Sequence, residues 1–190
     1  MRIMHLMLFG GSFDPPHNGH ICIAQNIVSQ HIADQVIFIP CANHPFAKEM
    51  SPANHRLAML TLLPTIIVDT YELDRKEKSY SIDTLHHFSA KHPQYTISWL
   101  IGSDQLQSFH KWHRYQELLD QFSVYVYSRT GFPFEPLYSN MIPLRDMEEI
   151  NVSSTRVRDA VRHGEDIQSY VPHQIAEYIR ENALYNQNHA

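Results

Sequence analysis

The chain has 190 residues, 43% of them hydrophobic, with 15 Lys and Arg against 20 Asp and Glu for a formal charge of −5. That size and apolar content can bury a full core, so one domain over residues 1–190 is expected, and the acidic balance argues against a generic DNA- or RNA-binding protein. Cys22 and Cys41 are too few for a disulfide framework and point to a reducing, cytoplasmic compartment. No stretch approaches the roughly 20 apolar residues that cross a bilayer, and the first apolar run, interrupted by His5 and ended by glycine, carries no signal-peptide pattern.

Strand and helix signals alternate along the chain. Ile3 to Phe9 reads as a strand that stops at Gly10-Gly11, and Ile21 to Gln30 as a helix that starts just after His20. A second strand, Gln35 to Pro40, is closed by proline and followed by a loop from Asn43 to Ala53. A helix over Ala53 to Leu63, a strand over Thr65 to Asp69 and a helix over Ser81 to His92 come next. Thr96 to Ile101 is a near-continuous apolar run, the pattern of a strand buried on both faces. A short helix, Tyr115 to Phe122, leads into a strand at Ser123 to Tyr127. Thr130 to Glu149, with Gly131, Pro133, Pro136 and Pro143, reads as a loop carrying one short strand. Ser154 to His163, stopped by Gly164, and Pro172 to Asn182 are the last helices. The alternation predicts an α/β, doubly wound, mostly parallel sheet with helices on both faces and a C-terminal helical segment. In such a sheet ligands lie beyond the C-terminal ends of the strands.

The loop after the first strand, Gly10-Gly11-Ser12-Phe13-Asp14-Pro15-Pro16-His17-Asn18-Gly19-His20, holds most of the functional information. Its glycines permit positive φ and close backbone approach, and its prolines stiffen the turn. His17 and His20 then stand at a helix N-terminus, where free amides and the helix dipole favour an anion. The loop lacks both the Lys-Ser/Thr pair of the ATPase-type phosphate loop and the dinucleotide G-x-G-x-x-G spacing. Two other readings of the histidines are a metal and a plain helix cap. No Cys or carboxylate cluster completes a tetrahedral set, so no metal-binding residues are assigned.

Three further segments bear on chemistry. Gly102-Ser103-Asp104 follows the buried strand, placing Asp104 either to accept hydrogen bonds from ribose hydroxyls or to cap a helix. In Asn151 to Arg158, Ser and Thr supply an N-cap, but no Glu or Gln closes a capping box. Its first-turn amides stay open beside Arg156 and Arg158, which suits a polyanion such as a triphosphate. Phe109 to Tyr115 interleaves aromatic rings with cations, so Trp112 is either a core residue or a platform for a flat heterocycle. Stacking of single-stranded nucleic acid is disfavoured by the net charge.

These segments resemble the bacterial nicotinate-nucleotide adenylyltransferases, a branch of the histidine-motif nucleotidylyltransferases. The match runs nearly end to end: Gly10 to His20, His55-Arg56, Glu72 to Arg75, Ser79-Tyr80-Ser81, Ile101 to Asp104, Lys111-Trp112, Arg129, Val152 to Thr155 with Arg158, and Glu181 to Tyr185. The resemblance implies that His17, His20 and Arg158 are catalytic, acting on the ATP phosphates and the leaving pyrophosphate. It implies that Gly10, Gly11, Ser12, Phe13, Gly102, Asp104, Ser153, Ser154 and Thr155 bind ATP. Ser81, Trp112, His113, Arg129 and Lys48 would bind nicotinate mononucleotide, with Trp112 stacked on its ring and amides near Ser81 and His113 on its carboxylate. The family shows Ser-Tyr-Thr where Ser81 stands, and the loop from Cys41 to Lys48 carries one extra residue.

The expected chemistry is in-line attack of the mononucleotide phosphate on the α-phosphorus of ATP. The nucleophile is already anionic, its second pKa being about 6, so no general base is required. Mg²⁺ would travel with the triphosphate. Nicotinamide mononucleotide or phosphopantetheine as acceptor, and a catalytically silent nucleotide sensor, are the alternatives. No nucleic-acid or membrane partner is expected, and the sequence leaves monomer and homo-oligomer both open.

Overall fold

The computed structural model describes residues 3–43, 50–75, 77–147 and 151–186. Six strands form one parallel sheet: β1 (His5–Gly11), β2 (Gln35–Pro40), β3 (Ile67–Val68), β4 (Thr96–Gly102), β5 (Ser123–Tyr127) and β6 (Met141–Leu144), ordered β3-β2-β1-β4-β5-β6. The chain leaves β1 toward β2 on one side and returns beyond it to β4 on the other. The loops after β1 and β4 therefore diverge and open a crevice at the C-terminal edge of the sheet. This is the expected α/β architecture.

Burial follows strand position. In the central β1 and β4 the runs Leu6 to Phe9 and Ile97 to Gly102 are buried on both faces, whereas Ile67 on β3 and Ile142 on β6, the edge strands, are exposed. The period-two alternation sorts the core into two layers. Leu6, Leu8, Ile37, Ile39, Ile97, Trp99 and Val124 pack with Ile82, Leu85 and Phe88 of α4 (Ser81–Lys91) and Leu118 and Leu119 of α5 (Tyr115–Gln121). Met7, Phe9, Phe38 and Leu100 face Ile23, Ala24 and Ile27 of α1 (Asn18–Ser29). A third cluster joins Met59 of α2 (Ala53–Thr61) to Val157 and Ala160 of α6 (Ser154–Arg162) and Ile175 and Ile179 of α7 (His173–Glu181).

Three local expectations change. β1 runs through both glycines, because Gly10 and Gly11 pair with Ile39 and Pro40 of β2 and ladder formation overrides their weak strand preference. Neither adopts positive φ; in this loop the left-handed residue is Phe13 (φ 48°). α1 starts at Asn18, three residues earlier than the apolar periodicity suggests, since its first turn is polar. Two elements went unforeseen: α3 (Tyr71–Arg75) and a 3₁₀ helix over Ser103–Lys111.

Candidate active site

The crevice is a cleft of about 510 Å³ floored by the ends of β1 and β4. Glycine is needed at that floor. A Cβ at Gly10 would collide with the Trp99 indole, and one at Gly102 would strike the Asp104 carboxylate and lie 2.8 Å from Arg129 Cγ.

One end of the cleft brings two helix starts together. His17 is the N-cap of α1 and His20 stands in its first turn, the rings stacked 3.6 Å apart. The His17 amide donates to His20 Nδ1 at 3.3 Å, and the His20 amide to the His17 carbonyl at 3.0 Å. His17 is 1% exposed, and its Nδ1 has no hydrogen-bond partner among the described residues. Burial, reinforced by the charge of Arg129, drives its pKa down to about 3. In the free protein it is therefore a neutral imidazole. Desolvation outweighs the other influences on this ring.

A second helix start faces His17. Ser153 caps α6 by accepting from the Arg156 amide at 3.1 Å, and Ser154 Oγ donates to the Pro15 carbonyl at 2.9 Å, stitching α6 to the loop after β1. Ser153, Ser154 and Thr155 all line the cleft, and no acidic residue occupies the first turn of α6. The two neighbouring arginines are committed elsewhere. Arg156 turns to the Tyr170 hydroxyl (3.0 Å) and ring. Arg158 lies behind the cleft wall, donating to the Asp14 carbonyl at 2.7 Å and to Thr155 Oγ1 at 3.2 Å.

Arg129 supplies the cation. Its guanidinium donates to the Val152 carbonyl at 3.2 Å and pairs with Asp104 at 3.8 Å, and its amide donates to Ser103 Oγ at 2.9 Å. It thus links Val152, just before α6, to Asp104, just after β4. Asp104 does not cap the 3₁₀ helix; its carboxylate faces Arg129 and accepts from Gln105 Nε2 at 2.9 Å.

The far end carries the aromatic platform. Trp112 rests on the buried Phe109, ring centroids 4.9 Å apart, while lining the cleft, so it serves core and surface together. Tyr80 and His113 lie beside it with centroids 4.3 Å apart. Tyr80 is the N-cap of α4 and provides no side-chain cap, and Tyr80 and Ser81 both line the cleft. A carboxylate fits such a helix start. Lys48 lies outside the described residues. Fifteen of the proposed site residues thus line one cleft: His17, His20, Gly10, Gly11, Ser12, Phe13, Gly102, Asp104, Ser153, Ser154, Thr155, Ser81, Trp112, His113 and Arg129.

Two functional positions were missed. Arg56, 1% exposed, donates to the carbonyls of Ser51 (3.0 Å), Ser12 (2.9 Å) and Cys41 (2.8 Å), clamping the loops after β1 and β2 together. Glu72 of α3 lines the cleft although only 6% exposed, and burial pushes its carboxyl above the ordinary carboxylate range. Both stood in the segments carrying the resemblance, but nothing in their local sequence announced a role. Among the described residues no three His, Cys, Asp or Glu side chains gather into a metal set, and no helix is long and apolar enough to cross a membrane.

Residues 8–160 match the family model described as cytidylyltransferase-like. A protein of Methylacidiphilum infernorum named "Probable nicotinate-nucleotide adenylyltransferase" is 34% identical over 96% of this chain and 93% of its own length. One of the same name from Oceanobacillus iheyensis is 33% identical over 94% and 95%. Among solved structures, a Plasmodium falciparum nicotinic acid mononucleotide adenylyltransferase complexed with NaAD superposes with a TM-score of 0.79, covering 96% of this chain and 97% of that one. At 22% identity it speaks to the fold.

Proposed function

Because the chain belongs to the cytidylyltransferase-like family, and within it to the nicotinate-nucleotide adenylyltransferases, we propose that it transfers the adenylyl group of ATP to nicotinate mononucleotide in NAD biosynthesis. The products are deamido-NAD and pyrophosphate. The observation that carries the reading is one cleft with two helix starts ready for phosphate at one end and the Trp112 platform beside the α4 start at the other.

In this reading the triphosphate lies between α1 and α6. His17 enters as a neutral donor; a bound phosphate raises its affinity for a proton, so that hydrogen bonding strengthens as charge builds on the transferring group. His20 faces the same phosphates. The amides of Ser154 and Thr155 receive the departing pyrophosphate, and Arg158 holds that wall in place through Asp14 and Thr155. Gly10, Gly11, Ser12 and Phe13 let the nucleotide approach the backbone. Gly102 leaves room for the ribose, whose hydroxyls meet Asp104.

The acceptor lies at the other end, its ring on Trp112 and its carboxylate at the amides near Ser81 and His113. Arg129 neutralises its phosphate, and Lys48 is assigned to mononucleotide binding from sequence. The phosphate oxygen attacks the α-phosphorus in line, forming one P–O bond as the bond to pyrophosphate breaks. Positioning and charge stabilisation supply the rate.

Mg²⁺ is implied by ATP chemistry. The Asp104 carboxylate is engaged by Arg129 and Gln105, and no acidic cage is present among the described residues. The site therefore fits an ion carried by phosphates and water. When bound, Mg²⁺ would offset charge on the triphosphate. We take residues 1–190 as one catalytic domain, and the unbridged Cys22 and Cys41 accord with a cytoplasmic setting.

The test is pyrophosphate release with ATP and Mg²⁺, comparing nicotinate mononucleotide, nicotinamide mononucleotide and phosphopantetheine. Strong preference for the nicotinate form is expected. Preference for the amide moves the acceptor assignment, and no turnover with any of the three overturns the reading.

A further inference from the structure

Glu72 has no part in the reaction outlined above, yet a carboxyl this buried costs free energy unless it is hydrogen-bonded. Its surroundings show what it holds. α3 is moored to the sheet, since the Asp69 amide donates to the Phe38 carbonyl on β2 at 3.0 Å and Asp69 Oδ1 accepts from the Tyr71 amide at 2.9 Å. From that mooring Glu72 reaches α4, where Thr84 Oγ1 donates to Glu72 Oε1 at 2.6 Å. Ser79, just before α4, lines the cleft together with Glu72. Ser79 Oγ in turn accepts from the Ala42 amide at 3.1 Å, and the Ser79 amide donates to the Asn43 carbonyl at 3.3 Å.

The carboxyl therefore ties α4 to the sheet, and the turn that opens α4 is tied through Ser79 to the loop after β2. That turn carries Tyr80 and Ser81 beside Trp112 and His113. An apolar side chain could fill the same space at lower desolvation cost, but it would not fix the direction of the Thr84 hydroxyl. Resting on the adenylyl-transfer reading, we propose that Glu72 is a positioning residue that sets the acceptor end of the cleft, governing mononucleotide binding while leaving ATP binding alone. Thr84 is its lever from behind, being 1% exposed and absent from the cleft lining.

The experiment measures KM for nicotinate mononucleotide and for ATP in the unaltered enzyme and in Glu72→Ala, Glu72→Gln and Thr84→Val, each checked by thermal unfolding. Glu72→Ala should raise the mononucleotide KM about tenfold or more, the size expected for losing a hydrogen-bonded charged group, with KM for ATP unchanged. Thr84→Val should reproduce part of that rise although its hydroxyl never meets the cleft. Glu72→Gln, which keeps an accepting oxygen, should recover most of the affinity. If Glu72→Ala does not fold, Thr84→Val and Glu72→Gln carry the comparison. Equal rises in both KM values overturn the assignment, as does a normal Thr84→Val beside an impaired Glu72→Ala, which would make Glu72 a direct contact. An unaltered protein that uses no mononucleotide overturns the adenylyl-transfer reading; an active one whose variants are indifferent overturns the Glu72 assignment alone.

Discussion

The Tyr185 hydroxyl donates to Asp14 Oδ1 at 2.6 Å, so the C-terminal turn grips the loop that follows β1. Asp14 is 2% exposed, and its other carboxylate oxygen accepts from the Ser51 amide at 2.9 Å while its carbonyl accepts from Arg158 at 2.7 Å. Burial first, and the Asp14 charge second, push the Tyr185 phenol well above its ordinary pKa, keeping it a donor.

Tyr185→Phe leaves a buried carboxylate oxygen short of a partner, a defect worth about 1–3 kcal/mol. Urea unfolding should show that loss. Because the Asp14 carbonyl of the same loop anchors Arg158 of α6, turnover should fall while KM for the mononucleotide stays near normal. A variant as stable and as fast as the parent would show that this tether carries no strain from the tail to the site.

His17 makes stability depend on pH in a defined direction. Its folded pKa of about 3 lies below the ordinary 6.5 or so of an unfolded histidine. Between those values the unfolded chain binds the proton and the folded one does not, so this group destabilises the protein progressively as pH falls from about 6.5 toward 3. The slope from one such site approaches 1.4 kcal/mol per pH unit. His17→Asn keeps a good N-cap residue and removes the titration. Its unfolding midpoint should therefore fall less steeply than that of the parent over this window, and parallel curves would contradict a buried neutral imidazole.

His20 faces the cleft more openly, stacked on His17 and edge-on to Phe13, with centroids 5.1 Å apart. Losing one preorganised donor to a transition state costs about 10²–10³ in kcat. His20→Ala should show a loss of that order, with a circular dichroism spectrum like that of the parent. Near-normal turnover would remove His20 from the chemistry.

How much of this was legible in the sequence depended on the range of the forces involved. Gln35–Pro40 and Ser123–Tyr127 form strands over the residues expected, because short β-branched and aromatic runs between turn residues declare themselves locally. The glycine and histidine loop was legible for the same reason: its chemistry is carried by neighbours in sequence. α3 was not, since Tyr71-Glu72-Leu73-Asp74-Arg75 is five residues long and shows no apolar stripe. The 3₁₀ helix from Ser103 to Lys111 has three residues per turn and escapes a search at 3.6. Arg56 and Glu72 read locally as an ordinary helix cation and anion. Their roles exist only once folding brings Ser12 and Cys41 against the one and Thr84 against the other.

Trp112 joins both kinds of information, and its substitution separates them. The ring packs on Phe109 and also forms cleft wall, so Trp112→Ala should lower thermal stability and weaken the acceptor together. Stacking of a flat heterocycle on an aromatic side chain is worth about 1–3 kcal/mol, which corresponds to a rise of roughly 5- to 150-fold in the mononucleotide KM. KM for ATP should change little, because the proposed arrangement puts ATP at the opposite end, between α1 and α6. Trp112→Phe restores a stacking face and much of the packing, so it should recover most of both properties. Equal effects of Trp112→Ala on the two substrates would mean that the residue acts through the core alone, and the aromatic platform would have to be sought at Tyr80 and His113.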